Sequence, residues 1–279
     1  MYASIWFYHP PNAVHYKLAT MTEIPGFSDI GPHDPLPVEE TWHRFVRSSN
    51  GKVVADLLPP SPSFDNADYL FADAKVVAEL KEVQTEFMAA EASRKGFETL
   101  LERLVHEEPQ WRPTLFGGNG KYPPWFEREF VRLARPPISR VIKKANRQLR
   151  ETKNHFGIAA ATGVLLFVND RFTGLAPDLV HAFACELLVH SYSSIDCFVY
   201  LNVNRYVAIA GSDEPKLIWH PTYSDRADDS LTEFIDALGR RWFDFLEQQI
   251  GPTSSRTETQ DRTILRGSKA IVLPGENRR

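Results

Sequence analysis

The most chemically loaded stretch of this chain is Lys75-Val76-Val77-Ala78-Glu79-Leu80-Lys81-Glu82-Val83. Read as a strand, it puts Val77, Glu79, Lys81 and Val83 on one face and Val76, Ala78, Leu80 and Glu82 on the other. A charge in so apolar a segment is costly unless it is paired or ligating. Mutual pairing, a metal, or both would keep Glu79 and Lys81 there. Asp68 sits on the preceding apolar run, and a turn near Asp73 would bring it within a few residues of Glu79. Two carboxylates and an ammonium on one patch suit a hard divalent cation that retains several waters. Phosphodiester hydrolysis uses such an ion, to polarise a phosphoryl oxygen and to acidify a water. Lys81 would hold the attacking hydroxide and offset charge developing on the phosphate.

Asp68, ten intervening residues and then Glu79-Leu80-Lys81 resemble the D…(D/E)xK signature of the PD-(D/E)XK nuclease superfamily. The order of elements is similar as well: helix 38–47, strands within 52–83, basic helix 138–156, strand 163–169. The resemblance covers roughly residues 38–203. It implies an α/β, restriction-endonuclease-like core with a central mixed β-sheet flanked by helices. It also implies Mg2+ (or Mn2+) held by Asp68, Glu79 and the backbone carbonyl of Leu80, with Lys81 catalytic, in a nuclease acting on DNA in preference to RNA. Many members carry a glutamate on the first helix. Glu39 and Glu40 compete for that place, and Glu39 is preferred because it borders the face formed by Val38, Trp42, Phe45 and Val46. Gln148, at the edge of the Ile138, Val141, Ile142, Ala145, Leu149 face, matches the glutamine of a QxxxY submotif, but Thr152 stands where the tyrosine would be. Ala67 replaces the proline of the PD pair. The long separation of Lys81 from Gln148 implies a helical insertion after the ExK strand, at about 84–137.

Net charge is −4, which argues against a purely electrostatic nucleic-acid binder. The average hides a basic run of nine cations, Arg128, Arg132, Arg135, Arg140, Lys143, Lys144, Arg147, Arg150 and Lys153, against only Glu129 and Glu151. It reads either as a solvated helix surface or as a phosphate-binding face, in which Arg140, Lys143, Lys144 and Arg147 would touch the nucleic-acid backbone.

The remaining sequence supplies the frame. Residues 1–35 read as an irregular arm or one or two short strands. Val38 to Val46 has helical periodicity, and Lys52–Leu58 is a candidate strand. Ala67–Ala72 and Ala74–Val83 form a hairpin. Thr85–Val105 is a helix, 108–124 a loop, and two helices near 125–135 and 138–156 are divided by Pro136-Pro137. Gly163–Asn169 and Ile195–Val203 are buried strands around a helix at 177–190, which implies a right-handed parallel crossover. Short strands at 206–210 and 217–219 precede an amphipathic helix at 230–250. The whole reads as a single domain over 1–250 with a flexible polar tail at 251–279.

Other motifs point less far. Glu79 and Lys81 could be a simple ion pair on a half-exposed strand. Glu214-Pro215-Lys216 repeats the ExK tripeptide in a loop and reads as noise. Gly117-Gly118-Asn119-Gly120-Lys121 lacks the spacing of a phosphate loop. His181 and His190 do not share a helix face, Cys185 and Cys197 read as core residues, and Ser191, Ser193 and Ser194 form no nucleophile elbow. No apolar run approaches the roughly 20 residues needed to span a bilayer, and the N-terminus lacks a signal-peptide pattern. A cytoplasmic protein with no membrane partner is expected, and a homodimer is left open. The alternatives to a nuclease are a catalytically inactive domain of the same fold acting in nucleic-acid or protein binding, and a phosphatase or nucleotidase.

Overall fold

A computed structural model describes residues 5–8, 34–83, 90–112, 121–170, 172, 174–212, 215–251, 256–261 and 263–270. In chain order the elements are β1 (Ile5–Tyr8), α1 (Val38–Ser48), β2 (Lys52–Val53), β3 (Tyr69–Phe71), β4 (Val76–Glu82), α2 (Glu91–Glu107), α3 (Pro124–His155) and β5 (Thr162–Val168). There follow α4 (Pro177–Ser191), β6 (Cys197–Leu201), β7 (Val207–Ala208), β8 (Leu217–Tyr223), α5 (Asp229–Ile250), β9 (Arg256–Thr259) and β10 (Lys269–Ala270). Eight strands form one mixed sheet in the order β2-β3-β4-β5-β6-β8-β1-β9. β4, β5 and β6 run parallel and the other neighbours antiparallel.

Period-two alternation divides the core between two faces of the sheet. Val76, Ala78, Leu80, Val164, Leu166, Val168, Val199 and Trp219 pack with Trp42, Phe45 and Val46 of α1 and Ile235, Trp242 and Leu246 of α5. Val77, Leu165, Phe167, Phe198, Tyr200 and Ile218 pack with Ile138, Ile142 and Leu149 of α3 and Val180 and Phe183 of α4. The sheet is therefore sandwiched between helices. α2 caps only the N-terminal half of α3, through Leu100, Leu104 and Phe126. No helix of the described residues is long and apolar enough to cross a membrane.

Several sequence expectations are corrected. The strand expected over Lys52–Leu58 stops at Val53, and Val54–Leu57 is a 3-10 turn. Pro136-Pro137 does not divide the helices: α3 is continuous for 32 residues. Two missing backbone donors cost less than losing the buried stripe Ala134, Ile138, Ile142, Ala145 and Leu149. The segment expected as a helical insertion at 84–137 holds α2 and the start of α3 among its described residues, and the helix that begins at Pro124 runs on into the one carrying Gln148. Gly157 ends it in a left-handed conformation (φ 65°). The tail expected at 251–279 contributes β9 to the main sheet and β10 to a pair with β7. The glycine-rich run 117–120 lies outside the described residues.

Candidate functional site

The β3–β4 register decides the geometry. Tyr69 pairs with Ala78, so Asp68, one residue before β3, faces Glu79. Directly opposed residues share a face of the sheet, so the Asp68 and Glu79 carboxyls are close enough to influence each other's ionisation. Asp68 Oδ2 also accepts from the backbone N–H of Leu80 at 2.7 Å. Because a strand residue's N–H and C=O project to the same side, the Leu80 carbonyl lies on the edge of β4 that faces the β3 side. Lys81 Nζ donates to Glu79 Oε1. The predicted trio and the Leu80 backbone therefore meet at one point on the sheet.

Burial dominates the electrostatics. Glu79 has no exposed side-chain surface and Lys81 is 18% exposed. Desolvation first, and then the neighbouring Asp68 charge, push the Glu79 carboxyl well above the usual range. Asp68 is also raised, chiefly by burial, against the lowering effects of the Leu80 N–H and Lys81. Adjacent carboxyls disfavour each other's ionisation, and a cation beside them relieves this. Glu79 Oε2 is buried with no hydrogen-bond partner, and an unmet buried acceptor of this kind requires an explanation.

Among the described residues no set of three or more His, Cys, Asp or Glu side chains converges into a metal cage. Mg2+ needs no such cage, because it is bound through one or two carboxylates and keeps several waters. The Asp68 carboxyl and the orphaned Glu79 oxygen are the groups that would hold such an ion, with the Leu80 carbonyl as the third donor the resemblance implies.

Helix α3 holds the chain on which Asp68 sits. Gln148 Nε2 donates to Asn66 O at 2.8 Å, and Thr152 Oγ1 accepts from Ala67 N at 2.7 Å. Arg147 pairs with Asp65, and Glu151 accepts from Asp65 N at 3.2 Å. Residues 147, 148, 151 and 152 are neighbours on one helix face, so four side chains clasp residues 65–67. Gln148 is thus a supporting residue, and its Oε1 is a second buried oxygen without a partner. Thr152 was passed over in the sequence as a mismatch. Its signal was there: a polar residue four positions after Gln148, on the border of the apolar stripe.

Glu39 does not join the cluster. Its side chain is 81% exposed and lies 3.9 Å from His43, reaching Asp68 only through its charge. Arg140, Lys143, Lys144 and Arg147 are on the outer face of α3 and exposed. Lys153, grouped by sequence with that basic face, is instead buried against Asp196 at 3.6 Å and Ser194 O at 3.3 Å. Cys197 is buried, and Cys185 and His181 lie half-buried within 3.6 Å of each other. Burial drives the His181 imidazole down to about 4 and the Cys185 thiol up to about 11, so Cys185 stays a thiol rather than the reactive thiolate. No protein-family model, curated protein or solved structure matches this chain.

Proposed function

We propose that the chain is a Mg2+-dependent nuclease of PD-(D/E)XK type, with DNA favoured over RNA by resemblance. The convergence of Asp68, Glu79 and Lys81 in a buried patch carries this reading. Two further features support a restriction-endonuclease-like core: α1 precedes the β2–β3–β4 meander, and α3 crosses over to a parallel β5 beside β4. Asp68, Glu79 and the Leu80 carbonyl would hold the ion. When bound, Mg2+ supplies Lewis acidity to a phosphoryl oxygen and acidifies a coordinated water.

The chain's own groups do the rest. The N–H of Leu80 fixes one oxygen of Asp68, so its carboxyl presents the other in a set direction. Lys81, released from Glu79 when that carboxylate is occupied, is free to orient a water and neutralise charge on the scissile phosphate. Gln148 and Thr152 keep Asp68 in place from behind. Arg140, Lys143, Lys144 and Arg147 would contact backbone phosphates.

The complete burial of Glu79 favours a second reading, in which the carboxyl stays protonated and paired and the domain binds nucleic acid or protein without turnover. A cleavage assay separates the two. Circular single- and double-stranded DNA and an RNA would be incubated with Mg2+ or Mn2+, alongside Asp68→Ala and Lys81→Ala. Cleavage that both substitutions abolish supports the nuclease. Metal-independent or absent cleavage refutes it.

A further inference from the structure

A basic groove of about 620 Å3 runs along the N-terminal half of α3, lined by Arg128, Arg132, Arg135, Arg140 and Lys143 together with Val131, Pro136 and Ser139. It does not open on the carboxylate site. Arg135 reaches Glu186 of α4 at 3.5 Å, so this flank of α3 looks toward α4. Residues 147, 148, 151 and 152 look the other way, toward residues 65–67. Arg140, Lys143, Lys144 and Arg147, exposed on the outer face, connect the two flanks.

The charge is poorly compensated. Arg132 has Glu129 at 3.8 Å and Arg135 has Glu186 at 3.5 Å, while Arg128, Arg140 and Lys143 pair with no carboxylate among the described residues. Like charges three and four positions apart weaken a helix by roughly 0.2–0.5 kcal/mol each. This helix already carries two internal prolines, and in a chain of net charge −4 such a concentration of cations matches a polyanion. The apolar floor of Val131 and Pro136 suits a sugar or base between charged phosphates.

We propose that this groove is a second anchoring site for a nucleic-acid strand, which crosses the outer face of α3 to reach Asp68 and Glu79. The inference rests on the proposed nuclease reading for the strand's destination, though not for its binding. From Arg135 to Gln148 the helix rises about 20 Å. At about 3.4 Å per nucleotide step that is about six nucleotides. The substrate class is therefore a polynucleotide, and di- and trinucleotides are too short to engage both sites.

The test uses the full chain carrying Asp68→Ala for binding and the unaltered site for cleavage. Fluorescent DNA and RNA oligonucleotides of 3, 8 and 16 residues are titrated at several salt concentrations. The comparison variant is Arg128→Gln/Arg132→Gln/Lys143→Gln, three exposed substitutions, with circular dichroism to confirm that the helix content is kept. We expect affinity to rise at least tenfold between 3 and 8 residues. In the variant the slope of log K against log salt should fall by about two to three, with at least tenfold weaker binding of the 16-mer. Equal binding and equal salt slope in the variant, or no dependence on length, overturns the groove. If the variant loses binding while no form of the protein cleaves with Mg2+ or Mn2+, the groove stands and the nuclease reading fails. If cleavage is present and the triple variant cleaves the 16-mer as the parent does, the groove fails alone.

Discussion

Thr152→Val is the perturbation that tests most directly whether α3 holds the site. The substitution keeps the shape of the side chain and removes the one acceptor of the Ala67 N–H, a 2.7 Å bond between two residues with no exposed surface. No other hydrogen bond of Ala67 N is present among the described residues. A buried donor left unsatisfied costs about 1–3 kcal/mol, so urea unfolding should show that loss with an unchanged m-value. Thr152→Ser retains the hydroxyl and loses only a methyl, so it should cost less, about 1 kcal/mol. Asp68 follows Ala67, and loosening such a support costs about 10–100-fold in metal affinity or activity. Calorimetric titration with Mn2+ should show a drop of that size for the valine variant and a small one for serine. Gln148→Leu combined with Thr152→Val should be non-additive, because both side chains clasp residues 66–67. A valine variant as stable as the parent, or a serine variant as damaged as the valine one, would refute the reasoning.

Glu79→Gln removes a carboxyl that burial and Asp68 hold well above its usual range, so the ion-free chain should become more stable at neutral pH while cleavage and metal binding disappear. In the parent, affinity for Mg2+ should climb with pH, since the ion displaces a proton from Asp68 and Glu79; potentiometric proton release on titration measures it. Asp170, buried at the end of β5, is raised by desolvation from 3.8 to about 6 despite accepting from Val203 N and Asn204 N. A raised carboxyl favours the fold at low pH. Its contribution is full below about pH 4 and lost as pH climbs through 6, about 3 kcal/mol at 1.36 kcal/mol per unit. Asp170→Asn should flatten that part of a pH series of unfolding free energies. Lys153→Met should lower stability by only about 1 kcal/mol, because Asp196 keeps Arg226 at 3.0 Å and the Gly163 N–H at 2.8 Å, leaving the salt slope of nucleic-acid binding unchanged. Lys143→Gln should do the opposite, reducing the slope by about one at little cost in stability.

Local pattern made much of this protein legible. Alternation over residues 76–82 set Glu79 and Lys81 on one face, and that depends only on the pleat of a strand. The apolar runs of β5 and β6 and the stripes of α1 and α5 announced themselves because burial imposes a periodicity on sequence. The β3–β4 hairpin, too, was legible from the short gap at Asp73, whereas the register that sets Asp68 opposite Glu79 came from the structure. Tertiary packing decided the rest. The continuity of α3 through Pro136-Pro137 goes against local propensity, and only a buried stripe shared with the sheet overrides it. Lys153 looked like its neighbours in the basic run, but its side chain turns toward Asp196, a partner supplied by the N-terminal end of β6. β9 has little apolar character, and it joins the sheet because β1 offers an open backbone edge. The partner of Thr152 was unreadable for the same reason: it is a main-chain N–H distant in sequence. Sequence reports which faces must be buried, and contacts between backbone groups far apart in the chain leave no periodicity to read.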